Sequence, residues 1–216
     1  MTQLVSHYKD KPVDLKGKVE IAQHPIASST QFRSSEGAVQ PGAVYVVVPS
    51  IVTRGLLVPF GAYDEWSLRD RYNEAIRIMN TLGASTIVCE SYRAVIKRSG
   101  LRLLIRGKGP DVTFQRVENS GFDFRHTGAG SVPRDPSPLR WPDEPGFAAA
   151  VVSVLGNKAN QVSLNIRSNN NFSADGSLGI RLKQLGFELG GGHTHTGIAS
   201  LHITAQFPVP TRKGWP

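Results

Sequence analysis

Apolar and polar positions along the chain predict strands and helices in a mixed order. A continuous apolar run at 43–48, rich in β-branched residues, predicts a strand buried on both faces. The run at 56–60 contains Pro59 and therefore predicts an edge strand or an extended connection. Further strands are predicted at 86–92 and 101–106, joined as a hairpin, and at 161–167 and 201–207, where apolar and polar residues alternate.

Three segments have the features of helices. Residues 64–82 place their apolar residues on one face, with Asp64 as a cap and Gly83 as the terminator. A second helix is predicted from Asp143 and Pro145 to residue 155. The pattern of 176–185 fits a helix or a strand, and the following glycine favours a helix. Together these elements predict an α+β fold, in which about three helices pack on a mixed, mainly antiparallel sheet as a two-layer sandwich.

The distribution of polar, glycine and proline residues divides the chain into three parts. Residues 1–42 are predicted to be an irregular N-terminal arm, 43–207 a single α+β domain, and 208–216 a C-terminal tail. The domain contains a predicted long loop at 107–142, and loops of this length are usually functional or disordered. Within it, Trp141 is interpreted as an attachment of the loop to the following helix, or alternatively as an anchor for a partner.

The single cysteine and the absence of long apolar segments indicate the compartment. Cys89 cannot form a disulfide within the chain, and we expect it to be a small buried residue. The first eighteen or so residues are charged throughout, unlike a secretory signal. The longest nearly apolar stretch, 147–155, is too short to span a bilayer. We therefore expect a cytoplasmic protein without a membrane span.

The charge balance adds a prediction about partners. The chain has 25 Lys and Arg against 17 Asp and Glu, a formal net charge of +8, which favours anionic partners such as nucleic acid or an acidic protein surface. The densest basic cluster surrounds the predicted hairpin and consists of Arg93, Lys97, Arg98, Arg102, Arg106 and Lys108. These side chains are predicted to bind phosphates, and the alternative is that they only protect a strand edge from aggregation.

Two histidines near the C-terminus suggest an alternative metal site. His193 and His195 are two residues apart, so on a strand they would share a face, as metal ligands can. Three glycines precede them, which instead favours a flexible polar turn. We predict no metal and no cofactor.

His202 and Thr204, separated by one apolar residue on a predicted strand, suggest an alternative catalytic pair. The pattern resembles half of the signature of the 2H phosphoesterases. That resemblance implies a cleft in which two histidines act as acid and base while two hydroxyls hold a phosphate. The family has two such motifs, and the second is not met at His24, His126, His193 or His195.

The sequence thus favours a non-enzymatic basic binding module that engages nucleic acid or an acidic protein through residues 93–108 and the 107–142 loop. One alternative is a phosphoesterase or nuclease built on His202 and Thr204. Another is a structural subunit that assembles into a homo-oligomer.

Overall fold

The computed structural model of the protein groups most of the chain into two compact units. It describes residues 3–15, 17, 19–48, 55–96, 112–118, 121–168, 172, 175–190 and 198–209. Unit 1 comprises Met1–Ser67 and Asn169–Thr194, and unit 2 comprises Leu68–Ser168 and His195–Pro216. Compactness alone does not define a domain, so the domain boundaries predicted at residues 42 and 207 stay a prediction.

The described residues form an α+β fold with mixed sheets, which confirms the predicted fold class. The strands are β1 (Gln3–Tyr8), β2 (Ala22–Pro25), β3 (Arg33–Ser34), β4 (Val44–Val48), β5 (Leu56–Pro59), β6 (Thr86–Ile96), β7 (Val112–Val117), β8 (Phe124–Thr127), β9 (Gln161–Arg167) and β10 (Ser200–Gln206). The helices are α1 (Tyr63–Thr81), α2 (Pro145–Leu155) and α3 (Ser177–Gln184), and short 3-10 helices cover Ile26–Gln31 and Phe60–Ala62. All three predicted helices are confirmed, including the ambiguous segment at 176–185. Among the described helices, none combines the length and apolar character needed to cross a membrane.

The sheet of unit 1 has the order β2-β1-β4-β5-β3. Its central strand β4 is antiparallel to both β1 and β5. Val44 and Val46 are buried with Leu182 of α3, whereas Tyr45 is buried in a separate cluster with Val5. Because side chains alternate along a strand, β4 is buried on both faces, as its apolar run predicts.

Two features of unit 1 differ from the sequence prediction. Strands β1, β2 and β3 lie within residues 1–42, which were predicted to be irregular. Ser6 and His7 of β1 are buried, and polar residues at buried positions conceal a strand from a hydrophobic pattern. In addition, β5 lies between β4 and β3 rather than at an edge. Pro59 is the last residue of β5, where a missing N–H removes no interior bond of the ladder.

Unit 2 contains an antiparallel sheet covered on one face by helices. Its strand order is β7-β6-β10-β9, and β8 also pairs with β6. Ile87 of β6 and Ile203 of β10 are buried together with Met79 of α1 and Phe147 of α2. The two helices therefore form one layer and the sheet the other. We call the opposite, solvent-facing side of this sheet the open face.

The pairing of β6 with a strand at 101–106, predicted as a hairpin, stays a prediction. The predicted partner strand at 101–106 lies outside the described residues. In the described part of the chain β6 pairs with β7, from Ser91 opposite Val117 to Ile96 opposite Val112. Both β7 and β8 fall within the predicted loop at 107–142, so this segment contributes two strands to the sheet.

The segment that follows β8 is fixed to α1 by charged hydrogen bonds. Glu74 accepts hydrogen bonds from Arg77 Nε and Nη2, both at 2.7 Å, and from the backbone N–H of Arg140 at 2.9 Å. Arg140 also pairs with Asp70, and Trp141 Nε1 donates to Asp70 Oδ2 at 2.8 Å. Trp141 thus attaches this segment to α1. It also packs against the hydrophobic cluster that includes Phe147 of α2, and the predicted attachment to α2 stays a prediction.

Candidate functional site

The open face of unit 2 brings polar, basic and aromatic side chains of five strands together. On β10, Leu201, Ile203 and Ala205 are buried in the core, so the alternating residues His202 and Thr204 lie on the open face. The register of the antiparallel pairs then assigns the remaining side chains, because directly opposed residues share a face. The open face includes Glu90, Tyr92, Phe114, Arg116, Arg125, Asn165, Arg167, Ser200, His202 and Thr204.

One row of side chains crosses four neighbouring strands. Arg116 of β7 lies opposite Tyr92 of β6, Tyr92 opposite Ser200 of β10, and Ser200 opposite Arg167 of β9. With adjacent strands about 4.8 Å apart, the backbones that carry the two arginines are about 14 Å apart. An aromatic ring and a hydroxyl thus lie between two guanidinium groups.

Glu90 fixes two side chains of this row. Its carboxylate accepts a hydrogen bond from Tyr92 Oη at 2.9 Å and pairs with Arg116 Nη1 at 3.1 Å. The hydrogen bond to Glu90 and partial burial raise the pKa of Tyr92, so this phenol stays neutral at physiological pH. Arg116 remains 51% exposed, and a guanidinium has five N–H donors, so it retains donors for a second anion.

A shallow cleft lies on the same face. Its volume is about 330 Å³, and it is lined by Tyr92, Phe114, Asn165, Arg167, Ser200 and His202. Phe114 is 58% exposed, although it is a large apolar side chain. By register Phe114 lies diagonally from Tyr92, at a spacing that aromatic side chains can bridge. The cleft therefore combines two rings with hydrogen-bonding groups and a cation.

His202 and Thr204, the predicted alternative catalytic pair, are close to each other. Thr204 Oγ1 lies 3.3 Å from His202 Nε2, and Glu90 and Asn165 flank His202 on the neighbouring strands. A second histidine is what 2H-type chemistry requires. His126 of β8 pairs with Ile87, so alternation places it on the side of the sheet opposite His202. The described strands thus bring one half of the motif to the open face.

The predicted basic cluster is only partly within the described residues. Arg93 is exposed on β6, opposite Gln115 of β7, and alternation places it on the side of the sheet opposite Tyr92. Lys97, Arg98, Arg102, Arg106 and Lys108 lie outside the described residues, so their role in binding stays a prediction. These five residues belong to the stretch of chain that links β6 to β7.

The predicted alternative metal ligands, His193 and His195, also lie outside the described residues. In the part of the chain that the structure describes, no three His, Cys, Asp or Glu side chains are grouped so that they could share a metal ion. Cys89 is buried. Burial is the main reason why its pKa is raised to about 12, and the negative charges of Asp123 and Glu90 add to the effect. The thiol is therefore protonated and unreactive.

Sequence reasoning missed several residues of the open face. Phe114, Arg116 and Arg125 fall in the segment that was predicted to be a loop, so no face was assigned to them. Asn165 and Arg167 are polar positions of the alternating strand predicted at 161–167, but nothing in the sequence indicated which strands would lie beside them. Apolar and polar residues alternate at 112–115, and this was the available signal for a strand with Phe114 and Arg116 on one face.

Comparison with protein-family models, with curated proteins and with solved structures finds no match for this chain. The geometry of the open face is therefore the basis for assigning a function.

Proposed function

We propose that the protein is a non-enzymatic binding module that holds a nucleic acid on the open face of unit 2. The observation that supports this most strongly is the composition of the face. Three arginines, Arg116, Arg125 and Arg167, are exposed there. Arg116 and Arg167 lie in one row with Tyr92, and Arg167 lines the cleft together with the rings of Tyr92 and Phe114. Among the described side chains of the face, Glu90 is the one carboxylate.

Arginine suits phosphate recognition for a physical reason. Its planar guanidinium presents donors in a fork that matches two phosphate oxygens, and it stays charged at every physiological pH. Arg116 and Arg167 stand at opposite ends of one row, so both can contact a polyanion that crosses the sheet. The chain's net charge of +8 adds a long-range attraction for the same partner.

The basic segment predicted from the sequence is part of this proposal. Lys97, Arg98, Arg102, Arg106 and Lys108 link β6 to β7, the two strands that carry Tyr92 and Phe114. We expect these basic residues to add phosphate contacts to those of the open face. We keep the cytoplasmic location, predicted from the lone cysteine, as a further part of the proposal.

A phosphoesterase or nuclease is the second candidate, and the 3.3 Å contact between His202 and Thr204 favours it. Binding is preferred because the described face supplies one histidine where the chemistry needs both an acid and a base. Turnover of RNA, DNA or cyclic nucleotides that His202→Ala abolishes would replace the binding proposal. A self-assembling subunit is the third candidate, and native mass spectrometry at several concentrations distinguishes it from a monomer.

The salt dependence of binding tests the proposal. Fluorescence anisotropy with a labelled oligonucleotide would compare wild type with a triple variant, Arg116→Ala, Arg125→Ala and Arg167→Ala. For a single strand, each lost phosphate contact reduces the magnitude of the slope of log K against log salt by about 0.7. The slope of the triple variant should therefore be smaller in magnitude than that of wild type by about 2.

The matched control removes the same charge from exposed arginines outside this sheet, Arg33, Arg134 and Arg181. It should retain most of the slope and affinity. Equal losses in the two triple variants would show that net charge, and not the open face, determines binding. If the protein bound polyglutamate but not oligonucleotides, the partner would be an acidic protein and not a nucleic acid.

A further inference from the structure

We infer that the nucleic acid held on the open face is single-stranded, with one base stacked on Phe114 and an adjacent nucleotide in the cleft beside it. This inference rests on the proposed function and specifies the class of nucleic acid. It is carried by the position of Phe114, by the polar lining of the cleft and by the shape of the sheet.

Phe114 is placed where an unpaired base can cover it. The ring is 58% exposed, and it lies on the same face as Arg116, two residues further along β7. Every nucleic-acid base has an apolar face that stacks on an aromatic ring, while the phosphate beside it needs a cation. Phe114 and Arg116 supply both within one strand.

The lining of the cleft suits the edge of a base. Asn165 and Ser200 bring hydrogen-bonding groups to it, and Arg167 of β9 lies opposite Ser200 of β10. Amide and hydroxyl groups bind the donor and acceptor edges of bases, and the Watson–Crick edge is free only where the strand is unpaired. A volume of about 330 Å³ lies at the lower end of the range for small-molecule pockets, which fits one nucleotide-sized group.

The shape of the face disfavours a duplex. Four strands span about 14 Å between the outer backbones, whereas the major groove of B-DNA is about 12 Å wide and admits a helix or a two-stranded ribbon. A duplex would therefore contact the arginines from outside its grooves and leave the rings of Tyr92 and Phe114 without a partner. A single strand contacts the rings and the cations together.

The test compares single strands with a duplex of the same sequence. Anisotropy titrations would use labelled DNA and RNA single strands and the DNA duplex, with wild type and the variants Phe114→Ala, Phe114→Leu and Phe114→Trp. Phe114 is exposed, so these changes should leave the fold intact, which circular dichroism checks. Leucine keeps an apolar side chain without a stacking face, and tryptophan keeps the stacking face.

We expect wild type to prefer either single strand over the duplex, and Phe114→Ala and Phe114→Leu to weaken single-strand binding by about tenfold, in line with the contribution of one stacked base. Phe114→Trp should bind like wild type, and binding of the single strand should quench the fluorescence of the introduced tryptophan. Duplex binding should not respond to any Phe114 variant.

Equal affinity for duplex and single strand, or wild-type binding of the single strand by Phe114→Ala and Phe114→Leu, would overturn the inference. If the triple arginine variant nevertheless showed the reduced slope of log K against log salt, the proposed function would stand and only the single-strand inference would fall. If no nucleic acid bound at low salt, both would fall.

Discussion

Replacement of Glu74 by glutamine should destabilise the protein measurably, because this carboxylate holds the segment after β8 on α1. The Glu74 side chain is 0% exposed and accepts three hydrogen bonds, two from Arg77 and one from the backbone of Arg140. Glutamine has one acceptor oxygen, and its amide nitrogen is itself a donor. In either orientation of the amide, at least one of the three donors faces another donor.

The size of the effect follows from these contacts. A hydrogen bond to a charged group contributes about 1.5–3 kcal/mol, and breaking a buried ion pair costs about 3–5 kcal/mol. Arg77 is 41% exposed, so water can solvate its guanidinium in the variant, and the lower part of these ranges applies. We expect the free energy of unfolding to fall by about 2–3 kcal/mol, which lowers Tm by about 4–12 °C in a chain of this size.

Thermal and urea unfolding, followed by circular dichroism, measures this loss. Glu118→Gln is the matched control, because it makes the same chemical change at an exposed residue and should stay within about 0.5 kcal/mol of wild type. If Glu74→Gln were as stable as this control, the segment would not depend on the Glu74 contacts and the reasoning would be refuted.

The pH dependence gives the same prediction a second readout. Burial alone raises the pKa of Glu74, but the hydrogen bonds from Arg77 and Arg140 lower it more, so the folded-state pKa lies below the ordinary 4.5. As the pH falls through 4.5, the unfolded chain takes up this proton first, and the stabilisation is lost as the pH reaches the folded-state pKa. The stability difference between wild type and Glu74→Gln should therefore shrink below about pH 4.5.

Three further predictions concern single residues. Gly83→Ala should cost more stability than Gly186→Ala in urea unfolding, because both glycines have positive φ, +83° and +86°, but only at Gly83 would the added Cβ collide, with the Ser131 backbone oxygen. Cys89 should resist a thiol reagent at pH 8 in the native protein and react fully after unfolding, since it is buried and its pKa is about 12. Burial and nearby His24 lower the pKa of His7 below 6.5. The free energy of unfolding should therefore fall as the pH drops through 6.5, because the unfolded chain takes up this proton first. In urea unfolding at several pH values, His7→Phe should show a smaller fall than wild type.

The elements with strong periodicity could be predicted from the sequence. Helix α1 and strands β9 and β10 have a buried face with a regular repeat, so pattern and structure agree. Strand β1 was missed because Ser6 and His7 are buried in it, and hydrogen bonding such as that from Ser6 Oγ to Ala43 O replaces apolar contacts. A hydrophobic pattern does not detect this arrangement.

The candidate site was less predictable than the fold because it depends on strand order. The outward side chains of β9 and β10 were evident from alternation, but which strands lie beside them follows from long-range pairing. Tyr92 and Arg167 are 75 residues apart in the sequence and become members of one row only because β10 lies between β6 and β9. Local sequence patterns contain no information on that order.

Photo-crosslinking of a labelled single-stranded oligonucleotide to the wild-type protein, followed by mass spectrometry of the attached peptides, tests the central claim most directly. We predict crosslinks in the peptides that carry Tyr92, Phe114 and His202, all on the open face. Crosslinks confined to peptides of unit 1 would contradict the account, because the proposal assigns the nucleic acid to side chains of unit 2.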